Sequence, residues 1–477
     1  MPLREPSASY ESQPTSRREM LARLGAGFGG LALSALTRGD LRAEAVPDAA
    51  RYDLTPKPSH FPGKAKSVIQ LFMHGGPSHV DLYDPKPMLS KFDGKAPPAE
   101  VVDDEKLTGN LLGSPFKFRR CGQSGIELSE TLPNLAAHAD DIAVIRSMYT
   151  IHRNHEQALW MSHTGMIVSG RPSVGSWIAY GLGSENQVLP AYVVLPEPGL
   201  PVDGIRNWSS GWMPPLYQGT PFRSSGMPVL HLTPDRPRTA GVEAGRFDLL
   251  RELNAEHRAR LPGELELDAR ISSFELAARM QLSATDALDI ARESATTRKL
   301  YGLDNPTTES YGRRCLMARR LVERGVRFVQ LFLSGQPWDT HGNNTAGVRT
   351  QCERTDRPVA GLLADLKQRG LLDSTLVIWG GEFGRTPGAQ GRDGRDHHPY
   401  GYSIWMAGGG IKGGQTYGAT DDFGYRAVVD RVSLADLHAT VLHQLGLDYR
   451  KLWFPRHGRE ERLTDVAKPQ ILTRLLA

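Results

Sequence analysis

The sequence contains very little cysteine. Cys121, Cys315 and Cys352 are the three cysteines in 477 residues, and they lie far apart with no CxxC spacing. An odd number of isolated cysteines argues against a disulfide framework and against a zinc site built from thiolates. We expect each of them to be a buried, unreactive thiol.

An excess of charge of one sign is also missing, as are long apolar runs. The chain has 57 basic and 53 acidic residues, a formal net charge of +4, and no basic block interleaved with aromatic residues. This balance argues against a nucleic-acid partner. No apolar run approaches the ~20 residues of a membrane-spanning helix, so we predict no stable membrane span. The 39% apolar and 23% charged content is ordinary for a globular protein.

The N-terminal segment has the pattern of an export signal. "SRREML" (16–21) precedes a 13-residue, glycine-rich apolar run (24–36), and the small residues "AEA" follow at 43–45. A charged segment, a short apolar region and a small-residue cleavage site are typical of such signals. The Arg17-Arg18 pair resembles a twin-arginine signal. The alternative is an ordinary amphipathic helix.

Three segments follow from this pattern. We predict an export signal over 1–45, a linker over 46–63 and one domain over 64–477. The twin-arginine export machinery is then a partner, and the location is the periplasm or the extracellular space.

Six apolar runs of strand length alternate with helical patterns. They cover 67–73, 142–148, 191–196, 326–334, 374–381 and 402–410. Strands that alternate with helices predict an α/β fold with a mostly parallel sheet covered on both faces. The stretch 197–236, rich in glycine, proline and tryptophan, is expected either to shape a pocket or to be a simple surface loop.

Polar residues collect in five clusters beside these predicted strands. The clusters are His74, His79 and Asp81; His152, Asn154 and His155; Asp339 and His341; Glu382 and Arg385; and Asp396, His397 and His398. Ligands of open parallel sheets bind where the carboxyl ends of the strands meet. We therefore expect these clusters to form one site.

The residue types in these clusters favour a metal centre. Imidazole nitrogens combined with carboxylate oxygens, without thiolates, suit one or two divalent ions of the zinc, manganese or iron type. The predicted ligands are His74, His79, Asp81, Asp339, His341, Glu382, His397 and His398. These ligands are dispersed over more than 300 residues of the chain. Such dispersal favours metal-assisted hydrolysis over a structural metal site. The candidate catalytic residues are His155, Asn154 and Arg385, of which Arg385 can pair with a phosphate or sulfate oxyanion.

Several motifs, in order, resemble a known family. They include "HGGPSHVDLYDPKP", "GRPSVGSWIAYGLGS", "PWDTHGNN", "WGGEFGRTP" and "GRDHHPYG", and they extend over about residues 60–450. On these motifs the chain is identified as a member of the DUF1501 family of exported bacterial proteins, often labelled sulfatase-like. Through that family it resembles the alkaline phosphatase/sulfatase superfamily. The resemblance implies a three-layer α/β/α sandwich with one or two metal ions at the strand ends.

The resemblance also implies roles for single residues. It places metal ligands at Asp339, His341, Glu382 and the His397-His398 pair, and it puts His74 where relatives carry an aspartate. The nucleophile position falls on His155, where a sulfatase has a modified cysteine or serine and a phosphatase has serine or threonine. Three roles for His155 stay open: a covalent nucleophile, a further ligand, or a general acid beside a metal-activated water.

Two functions of different class follow. The first is an exported metal-dependent hydrolase of phosphate or sulfate esters, acting on a small molecule or a polysaccharide. The second is a degenerate superfamily member that binds a ligand or partner without turnover. The set of potential ligands favours the first, and the missing serine, threonine or cysteine nucleophile favours the second.

Overall fold

The apolar runs of the sequence form strands, most of which build one central sheet. A computed structural model of the chain describes residues 52–101, 109–223, 239–260 and 265–477. Over these ranges the strands are β1 (Ser67–Phe72), β2 (Phe118–Cys121), β3 (Ile126–Ser129), β4 (Ile142–Tyr149), β5 (Tyr192–Pro196), β6 (Thr220–Pro221), β7 (Phe328–Phe332), β8 (Thr375–Gly380), β9 (Gly384–Gln390), β10 (Gly394–His398), β11 (Tyr402–Ala407), β12 (Gln415–Tyr417), β13 (Ala419–Thr420), β14 (Ala427–Val429), β15 (Val432–Ser433), β16 (Phe454–Arg456) and β17 (Arg459–Glu461). All six runs predicted to be strands are strands.

Helices connect and cover these strands. They are α1 (His79–Leu82), α2 (Pro87–Lys91), α3 (His155–Thr164), α4 (Val174–Leu182), α5 (Ala240–Arg260), α6 (Leu265–Leu288), α7 (Ala295–Leu300), α8 (Pro306–Glu323), α9 (Asn344–Gln368) and α10 (Leu434–Gln444). Their ends follow local chemistry. Pro306 begins α8 behind an asparagine cap, and α3 ends at Gly165, whose φ of 77° is left-handed.

The central sheet is parallel except at one strand. Its order is β12-β4-β11-β8-β1-β7-β5-β6, and β15 also pairs with β4. Only β11 runs antiparallel to its neighbours, β4 and β8. The carboxyl ends of β4, β8, β1, β7 and β5 therefore lie along one edge, joined by the start of β11. This confirms the predicted mostly parallel sheet.

Helices cover both faces of this sheet. Gln70, Phe72 and Ile378 point to the face where α3, α4 and α10 pack. Trp379 follows Ile378 and points to the other face, because side chains alternate along a strand. There its ring lies 5.0 Å from that of Tyr83, beside α9, and α9 packs against α8. The three-layer α/β/α fold class is thus confirmed.

The structure describes only part of the predicted N-terminal segments. The predicted export signal, 1–45, lies outside the described residues. The predicted linker, 46–63, is described from Tyr52, where a compact unit extending to Ala477 begins. The part of this linker from Tyr52 has no helix or strand, yet Leu54 is buried and its carbonyl accepts a bond of 2.8 Å from the Ser184 N–H. In the described ranges, no helix is both long and apolar enough to cross a membrane.

Candidate metal centre

Two glycines bring the loops after the central strands into contact. Gly75, in the loop after β1, has φ 112°, and a Cβ there would lie 2.6 Å from the Asp339 backbone nitrogen. Its N–H donates to Glu382 Oε1 at 2.9 Å. A Cβ on Gly76 would lie 2.6 Å from the Phe383 ring. The "HGG" sequence therefore lets the loops after β1, β7 and β8 meet without intervening side chains.

His74 is fully buried and has unsatisfied ring nitrogens. Its exposed fraction is 0%, and neither Nδ1 nor Nε2 has a hydrogen-bond partner among the residues that the structure describes. Burial lowers the pKa of His74, whereas Glu382 and the Gly335 backbone raise it. The contact with Gly335 does not have hydrogen-bond geometry. A buried polar group without a partner is costly. A metal ion would satisfy such a neutral imidazole.

His155 begins α3 and lies between two carboxylates. Its Nδ1 donates to Glu382 Oε1 at 2.6 Å, and its Nε2 lies 3.5 Å from Asp339 Oδ2. Burial lowers the pKa of His155, but the two carboxylates outweigh burial and raise it to about 9. Burial raises the pKa of Glu382, yet the pairing with His155 lowers it to about 2. Without a cation, His155 is thus the charged partner of both carboxylates.

Three ligand-type atoms converge next to this pair. Asp339 Oδ1 lies 3.0 Å from His341 Nε2 and 3.1 Å from His397 Nε2. The two imidazole nitrogens are 2.9 Å apart. If both of these nitrogens carry a lone pair, no hydrogen bond can join the two rings. A shared transition-metal ion, by contrast, accepts a lone pair from each of the two nitrogens and from Asp339 Oδ1.

These residues form a continuous row of potential ligands. Three overlapping groups have ligand atoms within 4.8 Å of one another: His74, His155 and Glu382; His155, Asp339 and His397; and His341, Asp396 and His397. They come from the loops after β1, β4, β7 and β8 and from β10. The donor set of nitrogens and carboxylate oxygens, together with the unsatisfied His74, fits one or two divalent cations of the type expected from the sequence.

Arg385 is placed differently from its expected role at an oxyanion. Its exposed fraction is 0%. The guanidinium donates to Gly76 O at 3.0 Å, to Arg395 O at 3.1 Å, and to Gly75 O and Asp339 Oδ1. These contacts leave no open edge for a substrate. The geometry corrects the expectation: Arg385 holds Asp339 in position beside the histidines.

Three predicted ligands and Asn154 also lie outside the row. His79 Nε2 donates to Gly424 O at 2.8 Å, and His398 Nε2 donates to Tyr425 O. Asp81 accepts two bonds from Arg395, at 2.8 and 3.0 Å. The side chains of all three are buried in protein contacts, so the structure gives them supporting places instead of ligand places. Asn154 is exposed at the N-cap of α3 and makes no side-chain capping bond.

Two residues of the β9–β10 hairpin belong to the centre but were not predicted as ligands or supports. Gln390 Oε1 accepts a hydrogen bond from His341 Nδ1, which directs His341 Nε2 toward Asp339. Metal-binding histidines commonly donate their other N–H in this way. Asp396 Oδ1 lies 3.7 Å from His341 Nδ1. In the sequence, Asp396 belongs to the predicted cluster with His397 and His398. Nothing in the sequence around Gln390 indicates the role of Gln390.

Several solved structures are weakly similar to this fold. A PsFucS1 sulfatase from Pseudoalteromonas sp. is 14% identical, covering 80% of this chain and 68% of that chain, at a TM-score of 0.35. A protein in the alkaline phosphatase superfamily from Vibrio parahaemolyticus is 11% identical, covering 83% and 72%, at 0.35. The phosphonate monoester hydrolase of Agrobacterium radiobacter is 12% identical, covering 80% and 74%, at 0.33. Overlap at this level says nothing about activity.

The family match is much more extensive. No curated protein matches the chain. A sequence family described as "Protein of unknown function (DUF1501)" matches residues 65–476, which include every strand and helix of the central sheet and every residue of the candidate metal centre. The resemblance inferred from the motifs is therefore confirmed, and the chain belongs to the DUF1501 family.

Proposed function

We propose that this protein is a metal-dependent hydrolase of phosphate or sulfate esters. One observation carries the proposal: Asp339 Oδ1, His341 Nε2 and His397 Nε2 lie within 3.1 Å of one another. Such convergence from separate loops at the carboxyl edge of a parallel sheet is typical of catalytic centres. The fully buried, unsatisfied His74 supports it.

The row of ligands has room for two sets of donors. Asp339, His341 and His397, with Asp396, would hold one ion, and His74 and Glu382 would hold a second, with His155 beside it. A bound divalent ion supplies Lewis-acid polarisation of an ester oxygen and lowers the pKa of a water molecule.

The remaining chemistry belongs to His155 and its neighbours. The His155 side chain is about 10% exposed, and its Nε2 is buried. Glu382 fixes its Nδ1 proton, and the Gly75 N–H fixes Glu382 in turn. His155 also stands at the N-terminus of α3, where the helix dipole favours an anionic group. In our proposal it orients the anionic ester and holds a proton for the leaving alcohol.

Export remains part of the proposal. The paired arginines at 17–18 support passage through the twin-arginine machinery to the periplasm or beyond, where a small-molecule or polysaccharide ester would be the substrate. Replacing both arginines with lysine should retain the protein in the cytoplasmic fraction. Unchanged export of that variant would contradict this route.

Metal content and hydrolysis test the proposal together. Protein purified without chelator should contain one or two transition-metal ions per chain and should hydrolyse a member of a panel of aryl phosphates, phosphodiesters and sulfates. His397→Ala should lose both metal and activity. The matched control, His257→Ala on the exposed face of α5, should keep both.

The other outcomes separate the alternatives. Protein without metal would contradict the proposal. Metal bound without hydrolysis of any ester would favour a degenerate binding protein, which the histidine at the nucleophile position supports.

A further inference from the structure

A tight loop after β5 has unusual backbone geometry. Leu200 and Asp203 have φ values of 53° and 64°, and the glycines at 199 and 204 are also left-handed. Residues with a Cβ rarely adopt this conformation, and strained positions of this kind cluster at functional sites. We refer to residues 199–205 as the β5 loop.

The β5 loop lies beside the candidate metal centre. The Leu200 carbonyl accepts a bond of 3.2 Å from the Gly335 N–H, and three residues farther along the same loop the Trp338 N–H donates to the His74 carbonyl at 3.2 Å. Farther along, Asp203 faces Glu156 and Trp160 of α3, the helix that begins with His155. The loop therefore extends from the His74 side of the centre to the His155 side.

The base of the β5 loop is firmly held. Glu197, at its start, accepts hydrogen bonds from the Ser334 N–H at 3.0 Å, from Arg314 Nη2 at 3.0 Å and from Arg354 Nη2 at 2.9 Å. Charge-assisted contacts of this kind to α8 and α9 fix the loop against the sheet edge. Its side chains are thus presented in a defined place and not on a loose segment.

Two large apolar side chains project from this held loop into solvent. Leu200 is 45% exposed and Ile205 is 68% exposed. Single exposed apolar residues are normal, but here two of them stand on one strained loop beside a charged centre. Apolar surface beside a polar site favours a substrate whose non-reacting part is apolar.

We propose that Leu200 and Ile205 bind the alcohol part of the ester, so that the substrates are esters of aryl or alkyl alcohols and not of polyhydroxylated sugars. This inference rests on the proposed function and narrows its substrate class. The reacting phosphate or sulfate would lie at the metal centre, and the apolar group would cover part of the two side chains.

Matched substitutions test it. Leu200→Gln and Ile205→Gln, singly and together, should lower kcat/KM for 4-nitrophenyl phosphate relative to glycerol 2-phosphate, or for the corresponding sulfates. Loss of partly exposed apolar contact should lower that ratio about fivefold in the double variant. Leu253→Gln on α5 makes the identical change at 51% exposure and should leave the ratio unchanged.

A binding measurement gives a readout that does not need turnover. Calorimetry should show weaker binding of phenylphosphonate to the double variant than to the wild type, with methylphosphonate binding unchanged. Active enzyme with an unchanged substrate ratio and unchanged phenylphosphonate binding would overturn this inference and leave the hydrolase proposal intact. Metal-loaded enzyme that hydrolyses no ester would overturn both.

Discussion

Replacing Asp81 with asparagine tests whether Asp81 is a metal ligand or a residue that stabilises the fold. Asp81 and Arg395 are both fully buried and form a bidentate pair, at 2.8 and 3.0 Å. Asp81 also accepts bonds from Ser78 Oγ at 2.7 Å and Asn344 Nδ2 at 2.8 Å. An asparagine would turn an N–H₂ group toward some of these donors and leave the guanidinium without its counter-charge.

The size of the effect follows from the burial. Removing one partner of a buried ion pair costs about 3–5 kcal/mol, because the remaining charge stays desolvated. Removing one partner of an exposed ion pair costs less than about 1 kcal/mol. The matched control is Asp248→Asn, since Asp248 and its partner Arg251 are both more than half exposed. We expect a large loss of unfolding free energy for Asp81→Asn and almost none for Asp248→Asn.

The effect should depend on pH in a defined direction. Burial raises the pKa of Asp81, but Arg395, Ser78 and Asn344 outweigh burial and lower it. The stabilisation is therefore fully present above the unfolded pKa of about 3.9 and is lost as the pH falls through the lower folded value. The difference between wild type and Asp81→Asn should be constant near neutral pH and should shrink in strong acid.

Urea denaturation followed by tryptophan fluorescence measures the stability, and elemental analysis of the folded variant measures the metal. We expect the urea midpoint to fall and the metal content per chain to stay at the wild-type value. The opposite result, a loss of metal with an unchanged midpoint, would show that Asp81 is a ligand, as its place in the "HGGPSHVD" cluster had indicated.

Three further substitutions address the metal centre. Gln390→Ala should weaken metal affinity by about 10–100-fold, measured by competition with a chelator, because His341 loses the acceptor that orients it; unchanged affinity would refute that role. Gly394→Ala should lower the metal content seen in elemental analysis, because its Cβ would collide with the His341 carbonyl; a full complement of metal would show that the hairpin can shift. His155→Ala should abolish hydrolysis and keep most of the metal, whereas loss of the metal would make His155 a ligand.

Much of the fold was predictable because buried parallel strands leave a strong pattern. Their apolar side chains face helices on both sides, so runs such as "VRFVQLFLS" and "STLVIWGG" are continuous. The short strands at the two edges of the central sheet, β6 and β12, were not predicted, since strands of two or three residues carry no pattern of their own. The antiparallel direction of β11 depends on its loops and is not encoded in its apolar residues.

The candidate site was predictable only as a location. His74, Asp339 and Glu382 each follow one of three adjacent strands by two to seven residues, so the topology alone brings them together. His79 and His398 lie just as close to strand ends, yet both point to backbone carbonyls. Proximity in sequence fixes where a loop is and leaves the direction of each side chain open.

The β9–β10 hairpin shows why the directions of these side chains could not be predicted from the sequence. Its register shifts between Arg395 and His397, where the single β10 residue Asp396 lies opposite three residues of β9, 386–388. Such a bulge re-aims the side chains on either side of it. Arg395 then reaches Asp81, and His397 reaches Asp339.

The charge balance at the centre links the supporting residues to the proposed chemistry. Asp339, Glu382 and Asp396 place three carboxylates in one row of ligands, and the guanidinium of Arg385 contacts only Asp339 among them. Burial lowers the pKa of His155, but the carboxylates of Asp339 and Glu382 outweigh burial and raise it to about 9. The carboxylates that keep a proton on His155 also favour binding of a cation by the neighbouring Asp339, His341 and His397. The buried Arg385 therefore offsets part of the negative charge of the centre without reaching a substrate. In the proposed function, a bound metal and the start of α3 would attract the anionic ester.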